Sequence, residues 1–272
     1  MQGRFVFVSC AALGFAFAGN AIAQTPPARD LAPVTVSARA NADPVEKSYR
    51  KMVRGMDLFE KQHALSPEGM LRFKLLPRRA DTRMDNVTLE VVANKIDFPV
   101  TVAPDHTFAL PRDALAYDDD AQLIPDRRKQ SMTWRTEIRT PGLPPGTRRL
   151  GDLRLECQVG MEAGLVSNSR TFIGQFAKAI LDTPAYCERQ VPKYLFFADE
   201  PIFSVTLVSG DRREIQPIER LYGGASDDPS VTSDLPYCDC EVLLDRAYVL
   251  PLGDTSWPND TQVEFTTMAG ER

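Results

Sequence analysis

Apolar and polar side chains alternate along four stretches of the chain that begin after residue 70. In each stretch the apolar residues stand two apart, and mostly charged or hydroxyl side chains occupy the positions between them. This period of two is typical of antiparallel strands that bury one face and expose the other. The four stretches are 71–75, 87–91, 132–139 and 153–159.

A second set of strand patterns occupies the C-terminal third of the chain. A β-favouring run at 202–208 is followed by the turn Ser209-Gly210-Asp211 and a return strand near Ile215, which predicts a β-hairpin. Many short strands separated by turn residues are typical of β-sandwiches. We therefore predict a mainly β protein with two antiparallel, β-sandwich-like parts. The other strands predicted here are 194–197, 241–244, 247–250 and 262–267.

Two helices are predicted to interrupt the β pattern. The first covers 43–65, with Asp43 as its N-cap, Pro44 at the first helical position and Glu46 completing a capping box. Its apolar side chains form one stripe, so we expect this amphipathic helix to cover a sheet edge of its own domain. A second helix over 169–181 is predicted to link the two β-rich parts. The stripe of the first helix consists of Val45, Tyr49, Met52, Met56 and Phe59.

The first 42 residues are predicted to precede the fold. They begin with the features of a cleavable secretory signal: the charged Arg4, a short apolar run over 5–18 and the small-x-small site Ala21-Ile22-Ala23. The apolar run is too short to span a bilayer, which takes about 20 apolar residues, and we expect no transmembrane segment in the mature chain. The predicted boundaries are 1–23 for the signal, 24–42 for a flexible leader, 43–168 for the first β-rich part and 169–272 for the linking helix with the second part.

The leader contains one β-favouring patch, at 33–38. Val34, Thr35 and Val36 at its centre resemble the TonB box, the segment by which outer-membrane TonB-dependent receptors pair with the TonB protein as an added strand. The resemblance implies that these residues dock a partner by β-augmentation. The chain is far too short for the plug and barrel of that family, and the alternative is a disordered tether between signal and fold.

Four cysteines remain after removal of the signal: Cys157, Cys187, Cys238 and Cys240. An even number of cysteines in an exported chain predicts two disulfides rather than a redox or metal site. Cys238 and Cys240 are two residues apart, and on a strand their Cα atoms would be about 6.5 Å apart with Cβ vectors that do not converge. We therefore predict that each of these two cysteines pairs with either Cys157 or Cys187.

Charge and motifs exclude two classes of ligand. The formal net charge is −5, and the basic doublets are scattered among acidic residues, so we expect no nucleic-acid partner. The chain has no phosphate loop, haem motif or Cys-x-x-Cys, so we expect no cofactor.

Catalytic signatures are also sparse. His63 and His106 are predicted at a helix end and in a tight turn, and no Gly-x-Ser-x-Gly elbow occurs. Ser48 and Lys51 match the Ser-x-x-Lys motif of penicillin-recognising enzymes, but the partner motifs Ser-Asp-Asn and Lys-Thr-Gly are absent. We interpret this match as chance and predict no catalytic residue.

A group of carboxylates is the one candidate for a cation site. Asp118, Asp119, Asp120 and Asp126 could hold calcium through oxygen ligands. Their spacing is not that of an EF-hand loop, and the alternative is a solvated acidic loop.

Three phrases of the chain, 134–143, 150–157 and 222–226, resemble a group of exported proteins of unknown function from proteobacteria. The resemblance implies a periplasmic or secreted location and brings no activity with it. Residues 85–160 also resemble prealbumin-like or carboxypeptidase-regulatory β-sandwiches, at the level of fold only. We therefore expect a non-catalytic envelope protein that binds another envelope protein or a cell-wall or surface glycan. The alternative is a secreted hydrolase of glycans or esters, with a site assembled from carboxylates distant in sequence.

Overall fold

The computed structural model describes residues 46–128, 131–165, 184–189, 194–222 and 241–268. Within these ranges the protein is mainly β, as predicted, and its paired strands are antiparallel. The strands are β1 (Lys47–Ser48), β2 (Met70–Pro77), β3 (Leu89–Val92), β4 (Asp97–Val100), β5 (Thr107–Phe108), β6 (Gln122–Pro125), β7 (Met132–Arg139), β8 (Thr147–Arg149), β9 (Phe196–Phe197), β10 (Ile202–Ser209), β11 (Arg212–Ile215), β12 (Ala247–Tyr248) and β13 (Gln262–Thr267). The α-helices are α1 (Tyr49–Lys61), α2 (Ala114–Asp118) and α3 (Leu150–Glu162), and 3₁₀ turns cover His63–Leu65, Pro184–Glu188, Ile218–Arg220 and Glu241–Arg246.

The strands form three sheets and a two-stranded ribbon in the described part of the chain. Sheet A has the order β1-β6-β3-β4, sheet B the order β5-β2-β7, and sheet C the order β11-β10-β13-β8. Strands β9 and β12 form the ribbon. Because β7 belongs to sheet B and β8 to sheet C, the chain passes between these two sheets immediately before α3.

Two large hydrophobic clusters organise these sheets. Sheets A and B and helix α1 contribute to the first cluster, in which the Phe108 ring meets the Trp134 ring edge-on with centroids 5.9 Å apart. Sheet C and the ribbon contribute to the second, in which Phe196 stacks on Tyr248 with centroids 5.4 Å apart. Helix α3 contributes one face to the second cluster and the other to a small cluster beside β7, and the first cluster receives Ala163 and Leu165, which directly follow the helix.

Several predicted strands are confirmed. The alternating stretch at 71–75 lies in β2, and the stretch at 132–139 is β7. Strand β3 covers most of the stretch predicted at 87–91, and β10, β11 and β13 match the hairpin and the last strand. The stretch predicted as a strand at 241–244 is instead part of a 3₁₀ turn. The linking helix predicted at 169–181 lies outside the described residues.

Helix α1 carries the predicted apolar stripe but begins later than predicted. Tyr49 and Met52 are buried in the first cluster, and Met56 packs against it. The start predicted at Asp43 is wrong, because Lys47 and Ser48 are extended and pair with β6. The hydroxyl of Ser48 accepts a hydrogen bond from the Lys51 backbone N–H at 3.3 Å, so Ser48 is the N-cap.

The strand predicted at 153–159 is also wrong: these residues belong to α3. The cause is that two opposite faces of the helix are buried. One face carries Leu150, Leu153, Cys157 and Met161 into the second cluster, and the other carries Leu155 and Val159 into a small cluster beside β7. Residues of the two buried faces follow one another along the helix, so apolar side chains occur at every second position of 153–159, as they would in a strand.

The disulfide of the described chain joins Cys157 of α3 to Cys187 of the turn at Pro184–Glu188. Both residues are buried in the second cluster, and their Cα atoms are 5.9 Å apart. The prediction that Cys157 and Cys187 each pair with Cys238 or Cys240 is therefore wrong. The physical reason is that α3 brings Cys157 beside Cys187, a contact that the spacing of the cysteines does not reveal. Cys238 and Cys240 lie outside the described residues.

Candidate binding cleft

The charged face of β7 forms the floor of the candidate site. Arg135, Glu137 and Arg139 alternate with the buried Trp134, Thr136 and Ile138, so all three point to the same side of sheet B. Register brings Lys74 of the neighbouring β2 opposite Arg135. These four side chains, three cations and one carboxylate, therefore share one face of sheet B on two neighbouring strands.

Asp199, just beyond β9, completes an ion-pair network with this charged face. Lys74 lies 3.3 Å from Glu137 and 2.9 Å from Asp199, and Arg139 lies 2.8 Å and 2.7 Å from the same two carboxylates. Partial burial acts to raise the pKa of Asp199, but the charges and hydrogen bonds of Lys74 and Arg139 outweigh it and lower this pKa to about 2. Asp199 is therefore held ionised.

The end of the β9–β12 ribbon overlies the charged face. The backbone N–H of Ala198 donates to the Arg246 carbonyl at 2.9 Å, and the Arg246 guanidinium donates to the Asp199 carbonyl. The guanidinium carbon of Arg135 lies 4.8 Å from the centre of the Phe197 ring, a cation–π arrangement. The first two contacts hold the end of the ribbon together, and the third joins it to sheet B.

The inner wall of the cleft is a buried ion pair between Arg148, next to α3, and Glu156 on it. Their side chains are 7% and 8% exposed and approach to 2.7 Å. Both also bond the outer edge of β7: Glu156 accepts from the Ile138 N–H at 3.0 Å, and Arg148 donates to the Ile138 carbonyl at 2.7 Å. Burial raises the pKa of Glu156 and is partly offset by Arg148; burial acts to lower the pKa of Arg148, but Glu156 and its other neighbours raise it.

Two cavities, each of about 580 Å³, open between these elements. One lies on the side of Arg139 and the loop at 142–146, and the other on the side of Lys74 and Arg135. Both are lined by Arg148, Ala198 and Asp199, so together they form one cleft around the ion-pair network. Their size is in the range of small-molecule sites, about 300–1,000 Å³.

The cleft region has an excess of hydrogen-bond donors. The Nε atoms of Arg135, Arg148 and Arg246 are buried without a hydrogen-bond partner among the described residues, as are the hydroxyl groups of Tyr194 and Tyr248. Buried donors are normally paired, so each such atom calls for an explanation. Burial lowers the pKa of Arg135 and raises that of Tyr194 to about 12.

The sequence-predicted candidates lie elsewhere. Asp119 accepts hydrogen bonds from the Asn94 and Lys95 N–H groups at 2.8 and 2.9 Å, and Asp120 lies 3.7 Å from Arg50. Asp126 stands at the other end of β6 from Asp118, Asp119 and Asp120, and pairs with Arg127 at 2.6 Å. The structure therefore does not bring these four carboxylates together, and no group of three or more potential metal ligands occurs among the described residues. The docking candidates Val34, Thr35 and Val36 lie outside the described residues.

The cleft as a whole cannot be predicted from the sequence, although one part of it leaves a recognisable pattern. The alternation of Arg135, Glu137 and Arg139 predicts only the exposed face of a strand. Charged side chains of both signs at alternate positions, next to a strand carrying Arg72 and Lys74, were the available sign that this face could hold an ion-pair network. Asp199 and Arg246 reach the site from distant positions in the chain, and no local sequence pattern around them indicates this.

No protein-family model, curated protein or solved structure matches this chain. Among the described residues, no helix is both long enough and apolar enough to span a membrane.

Proposed function

We propose that this protein is a non-catalytic binding protein of the cell envelope and that the cleft is its binding site. The observation that carries the proposal is the pair of cavities around the Lys74–Glu137–Arg139–Asp199 network. The network joins side chains from sheet B to the ribbon, so its charged groups are ordered before a ligand arrives. Preorganised polar groups lower the ordering cost of binding.

The disulfide and the sequence together support a location outside the cytoplasm. Disulfides persist in oxidising compartments such as the periplasm, and Cys157 and Cys187 form one. The signal-like segment 1–23 and the resemblance to exported proteins of proteobacteria favour a periplasmic or secreted chain. In this compartment the proposed ligand is a small unit of a cell-wall or surface glycan.

The alternative of a glycan hydrolase requires a carboxylic acid that is protonated near neutral pH. Asp199 has the opposite property, because its pKa is lowered to about 2. Glu156 has a raised pKa, but Arg148 and the Ile138 N–H already occupy one of its oxygens. These two carboxylates thus favour binding over acid catalysis.

The test is a thermal-shift screen of cell-wall fragments on the chain from residue 24 onward. Ala198 lines both cavities, so Ala198→Trp should fill the cleft. The matched control is Ala114→Trp, at an exposed position on α2. We expect at least one fragment to raise the melting temperature of the parent chain and the control, and not that of Ala198→Trp.

Three outcomes would contradict the proposal: an equal shift in Ala198→Trp, no shift with any fragment, or turnover of a fragment. Affinity capture with and without residues 30–40 separately tests the leader as a protein-docking strand. Loss of one named envelope partner on deletion would assign that role to Val34–Val36 and leave the cleft to a second ligand.

A further inference from the structure

We propose that the cleft binds the carboxylate of an acidic sugar unit and that Arg135 and Arg246 are the residues that receive it. This inference rests on the proposed function and adds the chemical class of the ligand.

Most charges in the wall of the cleft near Arg135 are already compensated. Lys74 and Arg139 neutralise Glu137 and Asp199, and Arg148 neutralises Glu156. Asp105 accepts two hydrogen bonds from Thr107, whose hydroxyl also accepts one from Arg72. The wall therefore has few negative charges left to pair with a further cation.

Arg135 and Arg246 are the cations of this cavity that have no carboxylate of the described chain within hydrogen-bond distance. Arg135 forms no ion pair with a carboxylate of the described chain; its Nη1 donates to the carbonyls of Trp134 and Leu165 at 2.9 and 3.5 Å. Arg246 has Asp245 at 4.0 Å, beyond hydrogen-bond distance. Both guanidinium groups line the same cavity of about 580 Å³.

The geometry of Arg135 suits an incoming carboxylate. The two carbonyls hold Nη1 and the Phe197 ring lies under the guanidinium, so its plane is fixed. Its Nε has no hydrogen-bond partner among the described residues, and neither has the Nε of Arg246. A carboxylate can accept two parallel hydrogen bonds from one edge of a guanidinium, an arrangement that a lysine cannot provide.

The surrounding carboxylates decide between a carboxylate and a phosphate ligand. Glu137, Glu156 and Asp199 line the same cavity, and although each is paired with a cation, their oxygens lie near the ligand, so every further negative charge on the ligand adds repulsion. A phosphate monoester carries about 1.5 to 2 negative charges at neutral pH, whereas a carboxylate carries one. The cavity therefore favours a singly charged oxyanion.

The experiment titrates glucuronate, glucose and inorganic phosphate separately into the ¹⁵N-labelled chain from residue 24 onward. The signals followed are those of the arginine Nε–H groups, and Arg135→Gln and Arg246→Gln assign the two of interest. We expect glucuronate to shift both signals, glucose to leave them unchanged and phosphate to bind more weakly than glucuronate. Each substitution should weaken glucuronate binding about tenfold or more, the usual effect of losing a hydrogen bond to a charged group.

The control is Arg83→Gln, because Arg83 is exposed, pairs only loosely with Asp85 at 3.8 Å and does not line this cavity. Equal shifts with glucose and glucuronate, or unchanged affinity in Arg135→Gln, would overturn the inference and leave the proposed binding function standing. Tighter binding of phosphate would replace the carboxylate with a phosphate ligand. Unmoved Nε signals in the parent chain at millimolar glucuronate would also overturn the inference, whether or not either variant folds.

Discussion

Asp199 is a half-exposed carboxylate that two cations, Lys74 and Arg139, bind from the opposite side of the cleft. Its folded-state pKa of about 2 lies below the ordinary value of about 3.9. The unfolded chain therefore binds this proton more readily than the folded protein. The contribution of Asp199 to stability is complete above about pH 4 and is lost as the pH falls towards 2.

An NMR titration of the Asp199 side-chain carboxyl carbon should show this low midpoint. In Lys74→Met, which removes the cation with the larger effect on this carboxylate, the midpoint should move up towards about 3.9. Arg83→Gln should leave it where it was. A midpoint at about 3.9 in the parent chain would mean that the ion-pair network does not persist in solution. The charged groups of the proposed cleft would then not be ordered before a ligand binds.

At the same scale, the sequence allowed one half of the network to be anticipated. A period of two places Arg135, Glu137 and Arg139 on one face of a strand, because successive strand side chains point to opposite sides. Asp199 and Arg246 reach that face from positions 60 or more residues further along the chain, and only tertiary structure brings them there. The Arg148–Glu156 ion pair could not be anticipated for another reason. A sequence does not show whether a charged side chain is buried or exposed to solvent.

Among the elements, α3 closes the open edge of sheet B. Asp152 and Glu156, four residues apart on the helix, accept hydrogen bonds from the N–H groups of Thr140 and Ile138, two residues apart on the chain. Four helical residues rise about 6 Å and two strand residues about 6.8 Å, so the two spacings match. Side chains of a helix thus take the place of a neighbouring strand on β7.

Glu156 is the more informative of these two carboxylates to change. Glu156→Leu should cost about 3–5 kcal/mol, because it leaves the Arg148 guanidinium buried without a charged partner and the Ile138 N–H without an acceptor. Glu156→Gln should cost less, because an amide oxygen can still accept from Ile138. Chemical denaturation measures both changes, and hydrogen exchange of the Ile138 amide should quicken more in the leucine variant. Equal losses in the two variants would show that the edge hydrogen bond contributes nothing.

Sequence patterns predicted the elements with one buried face and failed where two faces are buried. Strands β2 and β7 and helix α1 each present one apolar side, and their periods identify them. Helix α3 buries Leu153 and Leu155 on different sides, so its pattern imitates a strand. Its buried Glu156 adds to the resemblance, because it occupies a position that would lie on the polar face of a strand over 153–159.

For the molecule as a whole, the Cys157–Cys187 bond ties α3 to the turn that precedes the ribbon. It closes a segment with a sequence separation of 30 residues, and the loss of such a cross-link should cost about 3–4 kcal/mol. Denaturation of the parent chain and of Cys157→Ala/Cys187→Ala measures this difference. Peptide mapping without reductant should recover Cys157 linked to Cys187; recovery of Cys157 linked to Cys238 or Cys240 would refute the pairing.

Helix α3 ends before residue 169, where the sequence places the boundary between the two β-rich parts, yet one of its faces completes the second hydrophobic cluster. A fragment that starts at that boundary would lack Leu150, Leu153 and Met161 and would expose the apolar side chains that pack on them. A fragment of the second part would therefore need the thirteen residues of α3 to complete its own hydrophobic cluster.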